Sequence, residues 1–111
     1  MKRIFVETKI FSKRWNELKL TDNDLLELQA FILTNPNAGD VITGTGGLTK
    51  LRWTLSNIGK SSGIRVLFID FIQQETVFLI NCYSKSRKDT ITDKEKAMYK
   101  DLIKLIKEEL Q

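Results

Sequence analysis

The sequence contains no histidine and a single cysteine, Cys82, and both shortages restrict its chemistry. Histidine is the commonest general base and the commonest metal ligand, and zinc sites of the Cys/His type need several such side chains. That type of zinc site is therefore excluded, and no carboxylate cluster indicates magnesium, so we predict neither a metal nor a cofactor. Cys82 cannot form an internal disulfide, and we expect it to be a small buried strand residue.

Long hydrophobic runs are also absent. No clean apolar stretch exceeds four residues, and the one from Val66 to Ile69 is ended by Asp70, whereas a membrane span needs about 20 apolar residues. The basic N-terminus is followed too soon by Glu7 to form a signal peptide. With 41% hydrophobic residues the chain can build a core, and we predict one domain over residues 1–111, a cytoplasmic location and no membrane partner.

Acidic residues are missing from two stretches, which makes the charge distribution more informative than the net charge of +4. No acid lies between Asp40 and Asp70, or between Glu75 and Asp89. The cations in these stretches are Lys50, Arg52, Lys60 and Arg65, then Lys85, Arg87 and Lys88. The two stretches carry +4 and +3, so the rest of the chain is net negative. Segregated positive charge favours binding of RNA or of an acidic partner.

Hydrophobic periodicity and capping signals predict an α+β fold. Thr92 and Glu95 form the clearest signal, a capping box that starts a C-terminal amphipathic helix. The elements predicted in chain order are a strand over 4–6, a helix capped by Thr8, a helix capped by Thr21 that ends near Asn35-Pro36, strands over 48–55, 64–71 and 76–83, and the C-terminal helix. We expect a small antiparallel sheet, made of the short N-terminal strand and a three-strand meander, with the N-terminal helix pair and the C-terminal helix packed on it.

Several cations are expected to converge on one face of the meander. Strand alternation places Lys50 and Arg52 on the face opposite to Trp53, which we expect in the core. Arg65 is a cation in an otherwise apolar strand, which costs free energy unless an anion or acceptors meet it. Three interpretations stay open for Arg65: an internal partner such as Asp40 or Asp70, extension of the side chain to the edge, and a bound phosphate. For Lys50 and Arg52 the alternative is a solvated strand face.

Three segments in one order resemble the RelE/HigB toxins, closest to the HigB-like branch. They are Gly44-Thr-Gly-Gly-Leu-Thr-Lys-Leu-Arg-Trp53, Gly59-Lys-Ser-Ser-Gly-Ile-Arg-Val66 and Cys82-Tyr-Ser-Lys85. The similarity covers essentially the whole chain, including the two helices before the sheet and the helix after it. The chain departs from the family pattern at Phe68, where a tyrosine is common, so no phenol is available at that position.

The resemblance implies a RelE-like fold and a ribosome-dependent mRNA endoribonuclease that needs no metal. In that reaction the mRNA 2′-hydroxyl attacks the adjacent phosphate, the 5′-oxygen leaves, and a cyclic phosphate results. By position, the implied catalytic residues are Lys50, Arg52, Arg65, Tyr83 and Lys85, and the implied RNA- or ribosome-binding residues are Lys60, Arg87 and Lys88. Arg65 is the predicted transition-state clamp, and a lysine, Lys50 or Lys85, is the predicted base. The implied partners are the ribosome, mRNA and a cognate antitoxin, expected to be a helix-turn-helix DNA-binding protein.

Two other functions fit the same residues. The first is a non-catalytic RNA- or ribosome-binding module, which would bind with strong salt dependence and leave mRNA intact. The second is an inactive toxin relative that only complexes an antitoxin repressor.

Overall fold

Five strands form one sheet in the computed structural model, which describes residues 2–54, 63–87 and 90–110. In chain order they are β1 (Ile4–Glu7), β2 (Asp40–Val41), β3 (Thr49–Trp53), β4 (Ile64–Phe71) and β5 (Thr76–Ser84). Their spatial order is β1-β5-β4-β3-β2. The three long strands are therefore neighbours in the middle of the sheet, as the predicted meander requires.

The α+β class is confirmed, but the sheet is mixed and not purely antiparallel. Strands β3, β4 and β5 pair antiparallel, whereas β1 runs parallel to β5, with Ile4 opposite Thr76. Parallel neighbours need a long connection, and here β1 and β5 are joined through most of the chain. Strand β2 was not predicted, because its two residues lie in a stretch that reads as a loop.

Gly39 allows β2 to approach β3 closely. It has a φ of +90°, and a Cβ built on it would lie 2.9 Å from the backbone oxygen of Lys50. Only glycine combines this backbone conformation with such an approach. This close approach allows Asp40 to pair with Lys50 at the point where β2 begins.

Three helices flank the sheet: α1 (Lys9–Glu17), α2 (Asp22–Thr34) and α3 (Asp93–Leu110). The Thr8 hydroxyl accepts a hydrogen bond from the Phe11 backbone, and Thr21 forms a capping box with Asp24. At α3 the Glu95 backbone N–H donates to Thr92 Oγ1 at 3.2 Å, and the Thr92 N–H donates to Glu95 Oε1 at 3.1 Å. All three predicted N-caps are confirmed. None of the helices formed by the described residues is long and apolar enough to cross a membrane.

Each face of the sheet has its own core. Helices α1 and α2 cover one face, where Phe11, Trp15 and Trp53 are buried and the Trp15 and Trp53 rings stack at 6.0 Å. Helix α3 covers the other face, where Tyr99 and Ile103 pack on side chains of the central strands. Because alternate residues of a strand point to opposite faces, Lys50, Arg52 and Arg65 lie on the α3 face. Burial of Trp53 and Cys82 in the first core agrees with the sequence prediction.

Most element bounds follow the prediction, with small shifts at the strand ends. Strand β4 has the predicted bounds, and β5 extends one residue further, to Ser84. Strand β3 ends at Trp53, and position 55, which was predicted to be in this strand, lies outside the described residues. The serines and glycines of residues 56–63 predict a polar linker, and these residues lie outside the described part of the chain too, apart from Gly63.

Candidate functional site

A row of three polar side chains crosses the middle of the sheet. Arg52 of β3 is directly opposite Arg65 of β4, and Arg65 is directly opposite Tyr83 of β5. Directly opposed residues of paired strands project from the same face, with Cβ atoms about 5 Å apart. Arg52 and Arg65 are 13 positions apart in the sequence, and Arg65 and Tyr83 are 18 apart. The sheet nevertheless makes these side chains neighbours on the α3 face.

Arg65 is the most buried charge of this row. Its exposed fraction is 5%, and that of Tyr83 is 9%, whereas Arg52 is exposed. A buried guanidinium is costly to desolvate and keeps its charge under all ordinary conditions. Arg65 therefore supplies a fixed positive charge at the floor of the site, with Arg52 at its rim.

Gly63 brings Lys85 close to the Arg65 guanidinium. The Lys85 backbone N–H donates to the Gly63 oxygen at 3.0 Å, just beyond the paired ends of β4 and β5. A Cβ built on Gly63 would lie 3.6 Å from Nη1 of Arg65 and 4.0 Å from Cβ of Lys85. The Arg65 side chain thus bends back over Gly63, and Lys85 extends the row past the end of the sheet.

Lys50 lies on the same face of the sheet, two residues before Arg52 on β3. It is opposite Leu67 on β4, which in turn is opposite Asn81 on β5, and it faces Asp40 on β2. The half-buried Lys50 also lines a cleft of about 280 Å³ together with Ile42 of the preceding loop and the start of α3. The site therefore has two parts, the row centred on Arg65 and the cleft beside Lys50.

The remaining predicted binding residues are only partly described. Arg87 is exposed in the turn after β5, where its backbone N–H donates to the Ser84 oxygen at 3.1 Å. Lys60 and Lys88 lie outside the described residues. Their proposed roles, like those of the other candidates, remain predictions.

A second cavity, of about 290 Å³, lies on the other side of Tyr83. It runs between the end of α1, the last residues of β5 and the start of α3, and Arg14, Asn81, Tyr83 and Tyr99 are among the residues that line it. A register shift in the β4–β5 pairing after Leu67 turns Asn81 toward α3, where its amide donates to the Tyr99 hydroxyl at 3.1 Å. We did not predict Asn81 or Tyr99 as part of this site. The available signal was Asn81 itself, a polar residue inside an apolar strand.

Other candidate chemistries are not supported by the geometry. Burial raises the pKa of the Cys82 thiol to about 12, which makes it a poor nucleophile. Asp70, one of the two internal partners considered for Arg65, accepts a hydrogen bond from Arg3 at 2.7 Å, and this contact raises the pKa of Arg3. Across residues 2–54, 63–87 and 90–110, no group of three or more carboxylate, cysteine or histidine side chains could hold a metal ion.

Fold and site together define a small α+β protein with a cationic, cleft-bearing sheet face beside its C-terminal helix. Residues 2–110 match the family described as the RelE toxin of the RelE/RelB toxin–antitoxin system. The chain therefore belongs to the RelE toxin family, which implies an antitoxin partner. Assignment to the HigB-like branch stays a prediction.

A solved structure supports the fold. The chain is similar to the free state of a double arginine-to-alanine mutant of the Escherichia coli toxin RelE, with a TM-score of 0.57 and 18% sequence identity. The match covers 79% of this chain and 88% of that one. At this identity the likeness concerns the backbone fold alone.

Proposed function

We propose that this toxin-family protein is a ribosome-dependent endoribonuclease that cleaves translated mRNA in the ribosomal A site and thereby inhibits translation. The observation that carries the proposal is the row formed by Arg52, Arg65 and Tyr83, with Arg65 only 5% exposed. A cationic row with a buried guanidinium at its centre suits a phosphate in which negative charge accumulates during reaction.

The proposed reaction uses the RNA's own 2′-hydroxyl as nucleophile. A bond forms between the 2′-oxygen and phosphorus, the bond from phosphorus to the 5′-oxygen breaks, and a 2′,3′-cyclic phosphate and a 5′-hydroxyl result. A base must take the 2′ proton, and an acid must give a proton to the leaving oxygen. No metal is required in this scheme, and no cofactor.

The row and its neighbours supply these roles. Arg65 stabilises the phosphoryl charge, because a guanidinium offers several donors in fixed geometry to phosphate oxygens. Lys85 or Lys50 serves as the base, and Tyr83, which lies opposite Arg65 in the row, protonates the leaving oxygen. Lys85 is the stronger candidate for the base, since its Cβ and Nη1 of Arg65 both lie within 4.0 Å of the Cβ position on Gly63. Arg52, Lys60, Arg87 and Lys88 bind RNA or the ribosome around this centre.

In the cell, the proposed cycle takes place in the cytoplasm, where ribosomes and mRNA are present. An antitoxin, which we expect to be a helix-turn-helix DNA-binding protein, would neutralise the toxin in a complex.

Inducible expression in growing bacteria, with mapping of mRNA 5′ ends, tests the proposal. We expect growth arrest and new 5′-hydroxyl ends inside translated codons, both lost when translation is blocked or when Arg65 is replaced by alanine. Lys13→Ala on the exposed side of α1 is the control for loss of a positive charge. Intact mRNA in cells that contain the folded wild-type protein would contradict the nuclease.

A further inference from the structure

A lysine from α3 faces the candidate site across the cleft beside Lys50. The cleft of about 280 Å³ is lined by Lys50 from β3 and Lys96 from α3, with Ile42, Thr90 and Ile91. The Lys96 side chain is only 35% exposed, so it is not an ordinary solvated surface lysine. Its contact with Asp93 is long, at 3.9 Å, and the Asp93 side chain is fully exposed.

Lys96 begins a row of lysines along one side of α3. At about 100° per residue, four lysines fall within about 80° of arc; we call this set the lysine flank, and it consists of Lys96, Lys100, Lys104 and Lys107. From Lys96 to Lys107 the flank is about 16 Å long at a rise of about 1.5 Å per residue. The acidic residues of the later helix, Asp101, Glu108 and Glu109, fall outside this arc.

Lys96 is the member of the lysine flank that lines the cleft, whereas Lys100, Lys104 and Lys107 are solvent-exposed along the same side of the helix. Ile103, which falls beside Lys96 on the helix circumference, lies 3.7 Å from a Cβ built on Gly46 in the loop before β3. The opposite side of the helix carries exposed Met98 and Leu105. The lysine flank therefore runs along the side of α3 that borders the loop before β3, and the exposed apolar residues Met98 and Leu105 lie on the far side of the helix.

We propose that the Lys50–Lys96 cleft and the lysine flank bind the sugar–phosphate backbone of single-stranded RNA on one side of the phosphate that Arg65 engages. The inference rests on the proposed function, and it assigns to α3 a binding role in addition to covering the core. Lysines contact phosphates as mobile point charges without reading sequence. The flank therefore adds affinity and fixes the direction in which the RNA leaves the site.

Salt-dependent binding of an uncleavable RNA tests this inference. The probe is a fluorescent 2′-O-methyl oligoribonucleotide, and its binding is measured by anisotropy over a range of salt concentrations. We compare Lys96→Gln/Lys100→Gln/Lys107→Gln with Lys9→Gln/Lys13→Gln/Lys94→Gln, which removes the same charge from exposed positions elsewhere. Each lost phosphate contact lowers the slope of log K against log salt by about 0.7 for single strands, so the flank variant should lose about 2 and bind roughly tenfold to a hundredfold more weakly at low salt.

The outcomes separate the inference from the proposed function. Equal losses in the flank and control variants, or no binding by the wild-type chain at low salt, would overturn the inference even if ribosomal mRNA is cleaved. A flank variant that cleaves mRNA poorly but keeps its oligonucleotide binding would overturn it as well, because its lysines would then contact the ribosome. If the wild-type protein cleaves no mRNA but the flank variant shows the expected loss of slope, the RNA-binding role of the lysine flank is supported. Only the proposed nuclease activity is then contradicted. If the triple variant melts early, the exposed Lys100→Gln change alone should still lower the slope by about 0.7.

Discussion

Replacing Arg65 by methionine should separate catalysis from stability. Arg65 lies in the middle strand pair at 5% exposure, so its apolar stem is packed and its guanidinium is desolvated. Methionine keeps much of the packing of that stem and removes the charge, whereas alanine would also remove the packing. Loss of one preorganised charged donor typically lowers a rate by about 10²–10³, which is about 2.7–4 kcal/mol of transition-state stabilisation. Because methionine keeps the packing of the stem, the free energy of unfolding should fall by less than the roughly 3–5 kcal/mol that removal of one partner from a buried charge pair typically costs.

Two assays on the same variant check this prediction. Single-turnover cleavage of mRNA on programmed ribosomes gives the rate, and urea unfolding gives the free energy of unfolding. Lys13→Met is the matched control, since it removes a positive charge from the exposed side of α1. A cleavage rate within about tenfold of wild type would refute the role of Arg65 as clamp. A stability loss above about 3 kcal/mol would mean that Arg65 is a structural cation.

Four further predictions concern the fold. Burial raises the pKa of the Cys82 thiol to about 12. Iodoacetamide near pH 8 should therefore alkylate Cys82 in the folded chain roughly a thousandfold more slowly than an ordinary thiol of pKa about 8.5. Alkylation of the folded chain as fast as that of the urea-unfolded chain would contradict the burial of Cys82. Because the pKa is raised in the folded state, this thiol contributes stability below about pH 8.5, and the contribution is lost as the pH rises toward about 12. Urea unfolding of the wild type and of Cys82→Ala at several pH values measures this loss. Thr92→Ala should lower the free energy of unfolding by about 1 kcal/mol through loss of the α3 cap, while Thr90→Ala, just outside the cap, should not. Trp53→Ala should cost about 3–5 kcal/mol, because it leaves a cavity beside Trp15; a loss below about 1 kcal/mol would be inconsistent with the stacked pair.

Local signals predicted the elements well because each was complete within a few residues. Strand β4 was bounded by Gly63 on one side and by polar Gln73 on the other, and its apolar run filled the space between. Helix α3 was marked by the reciprocal pair of Thr92 and Glu95, which forms the same hydrogen bonds in the structure. Such features depend on neighbouring positions only, so a sequence shows them directly.

Pairing between distant segments was not predictable in the same way. Nothing in Ile4 to Glu7 indicates that β1 pairs parallel with β5, because periodicity reports which face is buried and not which strand is adjacent. The register shift that turns Asn81 toward Tyr99 was hidden for the same reason. Sequence analysis placed the candidate cations on one face, and the register then showed that Arg52, Arg65 and Tyr83 form a single row. The lysine flank could have been found on a helical projection, but its relation to Lys50 depends on how α3 lies on the sheet.

The α3 face of the sheet is divided between a core and a site, and β4 shows where the division falls. Along this strand the residues on that face are Phe71, Ile69 and Leu67, which belong to the core under α3, and then Arg65, which belongs to the cationic row. A strand that was apolar throughout this face would allow the helix to cover all of it, and no charged surface would be left for RNA. A strand with further cations would weaken the packing of α3, because each buried charge costs several kcal/mol to desolvate.

One arginine at the end of an apolar strand permits both the packing of α3 and a charged surface for RNA. The helix packs on Leu67 and Ile69, while the guanidinium bends back over Gly63 to the edge. On this reasoning a glycine at position 63 matters for function as well as for the backbone, and Gly63→Val should disturb the positions of Arg65 and Lys85 while leaving the core under α3 intact.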